Sequence, residues 1–454
     1  MNPSARRFHV DSSWWRHRSA AGDTLVAGSP LRLFRLGAEG SHLADVLESD
    51  GRVPAGTESL AERFLAAGAI HPMIEESTLT PLAVTVVIPA HDEDPARIAA
   101  LVRQVSAAAR VIVVDDGSAR SLGPIDGAEV VRRETAGGPA AARNTGAARA
   151  TTDIVLFLDA DTEWDPAGWT TVLGHFDDAH VGLVAPRVAS RPGTDLVARY
   201  EITDSPLDLG PEPARVRAGS RVSYVPTAAL LVRREVFESL NGFDESFRYG
   251  EDVDFVWRAI ATDHICRYEP AAVARHRARP DIRALARQRW SYGSAAAALD
   301  ERHPDAAAPL RVNRWSAIAW SLVAIGHPLV GGAVGAGSTA ALPRKLGATP
   351  HRWLVAGRLA GLGNLHAGRL MASAITRSWW PVSLVAAVLS RRLRFALLVA
   401  LVVPNLYRWR ASRSELDPVR YVALRIVDDA SYGAGVWTGV WRSRRLGALR
   451  PRFD

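Results

Sequence analysis

The sequence predicts an α/β fold: a mostly parallel sheet with helices, a small winged-helix-like unit before it, and a helical, partly apolar region after it. Three observations carry that reading. Continuous β-branched runs such as Val84-Thr85-Val86-Val87-Ile88 and Val111-Ile112-Val113-Val114 mark strands buried on both faces. They alternate with helix-forming stretches, as a parallel sheet requires. Each run also ends in carboxylates, and open α/β sheets bind ligands at the carboxyl ends of their strands.

The totals frame the elements. A chain of 454 residues exceeds one ordinary core. The formal net charge is +7, and almost every basic residue is Arg. Arg forks suit phosphates and carboxylates. The excess points to a phosphorylated substrate or an anionic membrane surface; without a basic tract, nucleic acid ranks last. The single Cys266 can make no internal disulfide, which fits a reducing compartment. Phe8 to Arg18 mixes charged and aromatic residues, unlike the apolar region of a signal peptide.

Residues 1–78 form the first unit. Leu25-Val26 and Leu31-Arg32-Leu33 alternate like strands around a Gly28-Ser29-Pro30 turn. Ser41 to Leu47 is a short helix that Gly51 stops. Thr57 or Ser59 caps a second helix, with Leu60, Phe64 and Leu65 on one face and Gly68 as its end. The pattern resembles the small peptide-recognition domains attached to enzymes that modify ribosomal peptides. That resemblance implies binding of an extended peptide at a sheet edge; a structural cap on the next domain is the plainer alternative.

Residues 79–305 hold the candidate chemistry. The strand from Val84 stops at Pro89 and is followed by His91-Asp92-Glu93. Ile98 to Val105 reads as a helix. The second buried strand ends in Asp115-Asp116-Gly117-Ser118, and Glu129-Val130-Val131 is a third strand. Gly137-Gly138-Pro139 opens onto a helix carrying Arg143 and Asn144. Leu156-Phe157-Leu158 then runs into Asp159-Ala160-Asp161. Residues two apart on a strand share a face, so Asp159 and Asp161 can enter one crevice, where hard oxygen donors suit a divalent cation. Three carboxylate-bearing strand ends within about eighty residues would repel one another. A bound cation or a donor-rich ligand would relieve that repulsion.

Val225-Pro226-Thr227-Ala228-Ala229-Leu230-Leu231-Val232 reads as a strand entering a helix at Arg234. Gly250 permits a tight turn into Glu251-Asp252, a helix start where anions are favoured. A simple N-cap is the alternative reading of that pair.

The ordered motifs, from Val87-Ile88-Pro89-Ala90-His91-Asp92-Glu93 through Val114-Asp115-Asp116-Gly117-Ser118 and Gly138 to Asn144, ending at Asp159-Ala160-Asp161, resemble family-2 glycosyltransferases of the GT-A (Rossmann-like) fold. The resemblance covers about half the chain. It departs from the family pattern at Asp92, where Asn is usual before the glutamate. It implies that Pro89, Asp92, Glu93, Asp115, Asp116, Arg143 and Asp159 bind a nucleotide sugar, and that Asp161 holds Mg²⁺ or Mn²⁺. It further implies that Asp252, or secondarily Glu251, is the general base that takes the proton of the acceptor hydroxyl. His276 lies where relatives place a metal- or pyrophosphate-binding His. Gln288-Arg289-Trp290 resembles a shortened Gln-x-x-Arg-Trp signature. By that resemblance Arg289 would pair with phosphate and Trp290 would stack on a sugar; an ordinary amphipathic helix is the alternative.

Residues 306–454 are apolar and basic. Ser316 to Leu342 contains no charged residue, long enough to span a bilayer, but Gly331, Gly332, Gly335, Gly337 and Pro328 weaken it as a helix. Trp379 to Ser390 and Phe395 to Tyr407 are each too short to cross. The segment Pro343 to Ser378 carries Arg344, Lys345, Arg352, Arg358, Arg369 and Arg377 and no acid. Such a segment stays on the cytoplasmic face. The expectation is therefore helices lying on the inner leaflet, on the cytoplasmic side of the cell membrane, with a soluble helical domain and a multi-span anchor as alternatives.

The order of parts is similar to that of the mycofactocin-system glycosyltransferases. That similarity implies transfer of glucose from UDP-glucose to a peptide-derived redox cofactor, with inversion, building a β-linked oligoglucose chain. A polyprenyl-phosphate or polysaccharide acceptor, and a non-catalytic nucleotide-sugar scaffold, are the rival readings.

Overall fold

The computed structural model describes residues 6–20, 22–304, 306, 308–347 and 349–453. By contacts the chain divides into two units, Met1–Arg191 with Asp204–Ala278, and Pro192–Thr203 with Arg279–Asp454.

The first unit begins with strands β1 (Arg7–Val10), β2 (Trp15–His17), β3 (Asp23–Ala27) and β4 (Arg32–Leu36). Helices α1 (Ala38–Ser49) and α2 (Glu58–Ala67) and strand β5 (Ile70–Met73) follow. β2, β3 and β4 form one antiparallel sheet and β1 pairs with β5. The hairpin expected around Gly28-Ser29-Pro30 is the β3–β4 connection. Gly68 ends α2 in the left-handed region, φ 69°, a conformation that glycine adopts without steric cost. Thr57 starts α2, but its hydroxyl donates to the Pro54 carbonyl instead of capping the helix. Phe8, Leu25, Phe34, Leu43, Leu47, Phe64 and Ile70 make the core of this small sheet domain.

A large sheet follows. Its elements are β6 (Val84–Ala90), α3 (Pro95–Gln104), β7 (Arg110–Asp116), β8 (Glu129–Arg133), α4 (Pro139–Ala147), β9 (Ile154–Leu158), β10 (Thr162–Trp164), α5 (Trp169–Leu173) and β11 (Val181–Ser190). After helix α6 (Leu196–Asp204) come β12 (Ala214–Arg215), β13 (Ala229–Arg233), α7 (Arg234–Ser239), α8 (Glu251–Ala261) and β14 (Ile265–His276). The strand order is β10-β14-β11-β13-β9-β6-β7-β8, with β12 paired to β14. β9, β6, β7 and β8 are parallel, and β13 runs antiparallel between β9 and β11. The sheet is therefore mixed. The parallel half puts the ends of β6, β7 and β9 side by side, and those ends carry the acidic motifs. Gly146 lets α4 press on this half: a Cβ there would lie 2.4 Å from a Val87 methyl.

The second unit is helical. Its elements are α9 (Ile282–Ser294), α10 (Ala296–Arg302), β15 (Arg311–Val312), α11 (Arg314–Ala324), α12 (Pro328–Leu346), α13 (Arg352–Thr376), α14 (Trp380–Leu389), α15 (Arg391–Ser412), α16 (Pro418–Ser443) and β16 (Arg452–Phe453). The uncharged run from Ser316 breaks at Gly326, φ 92°, into α11 and α12. Among the described residues no helix is long and apolar enough to cross a membrane. α9 and α10, placed with the transferase domain by sequence, group with this unit. α9 packs on α16 backbone to backbone: a Cβ on Gly435 would lie 2.1 Å from the Trp290 carbonyl oxygen, and one on Gly293 would lie 2.0 Å from that of Tyr432.

Candidate active site

Parallel pairing of β7 and β8 sets Asp115 opposite Arg132 and Asp116 opposite Arg133. Asp115 is fully buried and accepts from the Ser118 and Leu122 N–H groups and from Arg132 at 2.6 Å. Burial alone would raise its pKa, but these hydrogen bonds outweigh it and hold the carboxyl at about 2. Asp116 accepts from Arg133 Nε at 2.7 Å and from the Gly137 and Gly138 N–H groups at 2.7–3.1 Å. With these bonds in place, Asp115 and Asp116 shape the loops around the cleft. The repulsion that would call for a bound cation is largely met here by arginines of the chain itself. The signal was present: Val113-Val114-Asp115-Asp116 is echoed by Val130-Val131-Arg132-Arg133, and only the register was missing.

The loop after β6 leans on the same corner. His91 Nδ1 lies 2.8 Å from the Asp116 carbonyl oxygen, and Asp92 accepts the Ala119 N–H at 2.8 Å. Asp92 has φ 52° and stays half exposed. Pro89 is partly exposed at the end of β6. Glu93 pairs with Arg97 one helical turn on, at 2.8 Å.

The Gly137–Gly138 turn held by Asp116 starts α4, which delivers Arg143. This guanidinium is buried and forks between two carboxylates, Asp159 at 2.7 Å and Glu251 at 2.9 Å. It thereby ties the acidic end of β9 to the start of α8. Asn144, on the next position, accepts the Phe243 N–H and donates to the Phe243 carbonyl and to Glu245, which fixes the loop leading into α8. The sequence shows Asn144 but not this role, because its partners lie about a hundred positions away and only the fold brings them together.

Gly250, φ 85°, turns the chain into α8. Asp252 follows Glu251 there and is half-buried. Its carboxyl is pushed up to about 7, first by burial and then by the neighbouring Glu251 charge, with Arg143 opposing. A carboxylate poised near neutrality is the state a general base needs.

Asp161 and His276 meet through the antiparallel pairing of β10 with β14, Oδ2 to Nε2 at 3.1 Å. Neighbouring ligands on an octahedral ion with bonds of about 2.0–2.1 Å are separated by about 3 Å, so the pair fits one edge of a Mg²⁺ or Mn²⁺ shell. Among the described residues no three His, Cys, Asp or Glu side chains gather into a metal cage. Asp161 and His276 could supply two ligands to such an ion, whose other positions substrate phosphates and water would fill.

Arg289 and Trp290 are in the helical unit. Arg289 is buried, bonded to Glu201 at 3.0 Å and Asp428 at 2.9 Å, and also donates to Gln288. Trp290 donates to Thr438 at 3.3 Å, with Arg442 over its ring. In this arrangement Arg289 is turned inward, joining α6, α9 and α16. The phosphate-pairing role inferred from the resemblance is replaced by an internal ion-pair network, because two carboxylates already occupy the guanidinium.

Similarity to known proteins places the chain in a family. Residues 85–240 match the model of the glycosyl transferase family 2. The chain is 41% identical over 460 residues to the pre-mycofactocin glycosyltransferase of Mycobacterium tuberculosis (strain ATCC 25618 / H37Rv), with 95% of each chain covered. An uncharacterized glycosyltransferase of Haemophilus influenzae (strain ATCC 51907 / DSM 11121 / KW20 / Rd) is 24% identical over 197 residues, covering 41% of this chain and 65% of that one. A solved mannosyltransferase from Pyrobaculum calidifontis, in complex with GDP-Man and Mn²⁺, is similar over 68% of this chain and 93% of its own, at 20% identity and a TM-score of 0.39. With a GT-A-like α/β domain whose strand ends are acidic, and 41% identity along nearly its whole length, the chain belongs to the family-2 glycosyltransferases and, within them, to the pre-mycofactocin glycosyltransferase family.

Proposed function

We propose that the protein moves glucose from UDP-glucose to a hydroxyl of the mycofactocin precursor, a peptide-derived acceptor, with inversion, and extends it into a β-linked oligoglucose chain. The observation that carries the reading is the Asp159–Arg143–Glu251 bridge. It joins a donor-side strand end to the helix that presents Asp252. Pro89, Asp92, Glu93 and Asp159 line the donor side, with Asp115 and Asp116 shaping its loops. Asp161 and His276 would hold Mg²⁺ or Mn²⁺, which when bound offsets the charge of the leaving diphosphate. Asp252 takes the acceptor proton as the hydroxyl oxygen attacks the anomeric carbon through an oxocarbenium-like state. Arg143 keeps Glu251 and Asp159 neutralised, so that Asp252 can lose its proton near neutral pH.

We also propose contact with the cytoplasmic face of the membrane. Val382, Val385, Val388 and Leu389 of α14 and Phe395, Leu398, Val403 and Tyr407 of α15 are exposed. Residues 306–414 carry thirteen Arg, Lys345 and no acidic residue. Apolar side chains within an all-basic segment suit an anionic leaflet.

The test is a transfer assay with purified protein, labelled UDP-glucose, Mn²⁺ and the mycofactocin precursor. A product one hexose heavier supports the reading. Transfer only to a polyprenyl phosphate, or donor binding without transfer, replaces it.

A further inference from the structure

The seam between the small N-terminal domain and the large sheet contains an unbalanced cluster of cations. Arg267 of β14 is 1% exposed, and its Nε, Nη1 and Nη2 atoms are all buried without a hydrogen-bond partner among the described residues. A buried guanidinium normally has paired charges and satisfied donors, because the penalty for leaving them unmet is severe. Its direct cross-strand neighbour is another arginine, Arg215 of β12. Like charges set opposite each other in a sheet are destabilising. Among the described residues, Arg215 has one long hydrogen bond, 3.4 Å, to the Ala66 carbonyl of the N-terminal domain.

The acids at this seam make their hydrogen bonds to other groups, although Asp178 and Glu269 still attract Arg267 through space. Glu269 bonds His175 at 2.9 Å and the Ala271 N–H. Asp178 bonds His180. Asp11 takes His71 at 2.9 Å and Arg221 at 3.0 Å. Arg267 and Arg215 are each pushed down to about 10, chiefly by burial; Arg217 adds repulsion in both cases and Asp178 opposes it.

We propose that Arg267, with Arg215 and Arg217, forms a site for a small oxyanion of the phosphate type between the N-terminal domain and the strand β14. The five N–H donors of one guanidinium fit the oxygens of such an ion. One bound anion would satisfy Arg267 and screen the Arg215–Arg267 repulsion. Arg267 lies at the opposite end of β14 from His276, so this site is separate from the donor cleft and independent of the acceptor assignment. Its consequence is that the anion pins the N-terminal domain to the sheet.

The probe is inorganic phosphate, titrated into the full-length protein at constant ionic strength against chloride, with thermal melting and calorimetry as readouts. Raising phosphate to about ten times its Kd should lift the melting temperature by about 1.5–3 °C. Arg267→Met should lose that increment, and in phosphate-free buffer it should melt no lower than wild type, because it removes an unpaired buried charge. Arg217→Ala, at a partly exposed position, should weaken phosphate binding by about fivefold or more. Any residual phosphate effect in Arg267→Met belongs to the donor cleft. The proposal is overturned if wild type shows no phosphate-specific shift. It is equally overturned if Arg267→Met shows the full shift, or if Arg217→Ala binds phosphate with unchanged affinity.

Discussion

At the scale of single residues, the proposed chemistry turns on Asp252 and its partners. With its carboxyl raised to about 7, Asp252 is protonated in the folded protein below that pH and ionised above it. Activity should therefore rise with pH through about 7, and kcat/KM measured from about pH 5 to 9 should show that limb. The same shift has a stability sign. The folded state holds the proton more tightly than the unfolded chain, so the Asp252 contribution to stability is full below about pH 4 and is lost as pH rises through about 7. Arg143 opposes the raised value. Arg143→Met should move the limb to higher pH and leave Asp159 and Glu251 unpaired; an unmoved limb would remove Arg143 from the tuning of the base. At the metal edge, Asp161→Ala should cut Mn²⁺-dependent turnover by at least about a hundredfold while the melting curve stays cooperative. Turnover assays over a Mn²⁺ titration check this.

At the scale of elements, the carboxyl-terminal strand ends are legible in the sequence, because buried parallel strands have an unmistakable β-branched composition. The direction of β13 is not legible there. Ala229-Leu230-Leu231-Val232 is apolar throughout, so its pattern is the same whichever way it runs. The basic half of the cleft is also hidden. Arg132 and Arg133 are ordinary charges until register sets them opposite Asp115 and Asp116. Arg289 shows the converse: a short motif suggests a substrate contact, but Glu201 and Asp428, 88 and 139 positions away, claim the side chain. Arg289→Ala should therefore destabilise the helical unit by about 3–5 kcal/mol, since it strands two buried carboxylates; denaturant unfolding measures this.

At the scale of the whole molecule, two units divide the work. One carries the small sheet domain and the mixed sheet with its acidic cleft, and the other carries the apolar, basic helices. Composition separates these regions well, since the change from alternating strands to Arg-rich apolar helices is abrupt. It does not assign α9 and α10 to the helical unit, because the tie of α9 to α16 rests on glycines that let two backbones touch. For the membrane reading, vesicles containing phosphatidylglycerol should retain the protein in flotation, and the retention should fall as salt rises. Replacing Val388, Leu389 and Phe395 together with Ser should release it. Equal binding to neutral vesicles at high salt would contradict a charge-assisted dock. The central claim, proton abstraction by Asp252 in an acidic sugar-nucleotide cleft, is tested most directly by comparing wild type with Asp252→Asn in one assay of UDP-glucose binding and hexose transfer. The account predicts unchanged donor affinity with transfer reduced by about 10²–10⁴-fold; an Asp252→Asn protein that transfers at the wild-type rate contradicts it.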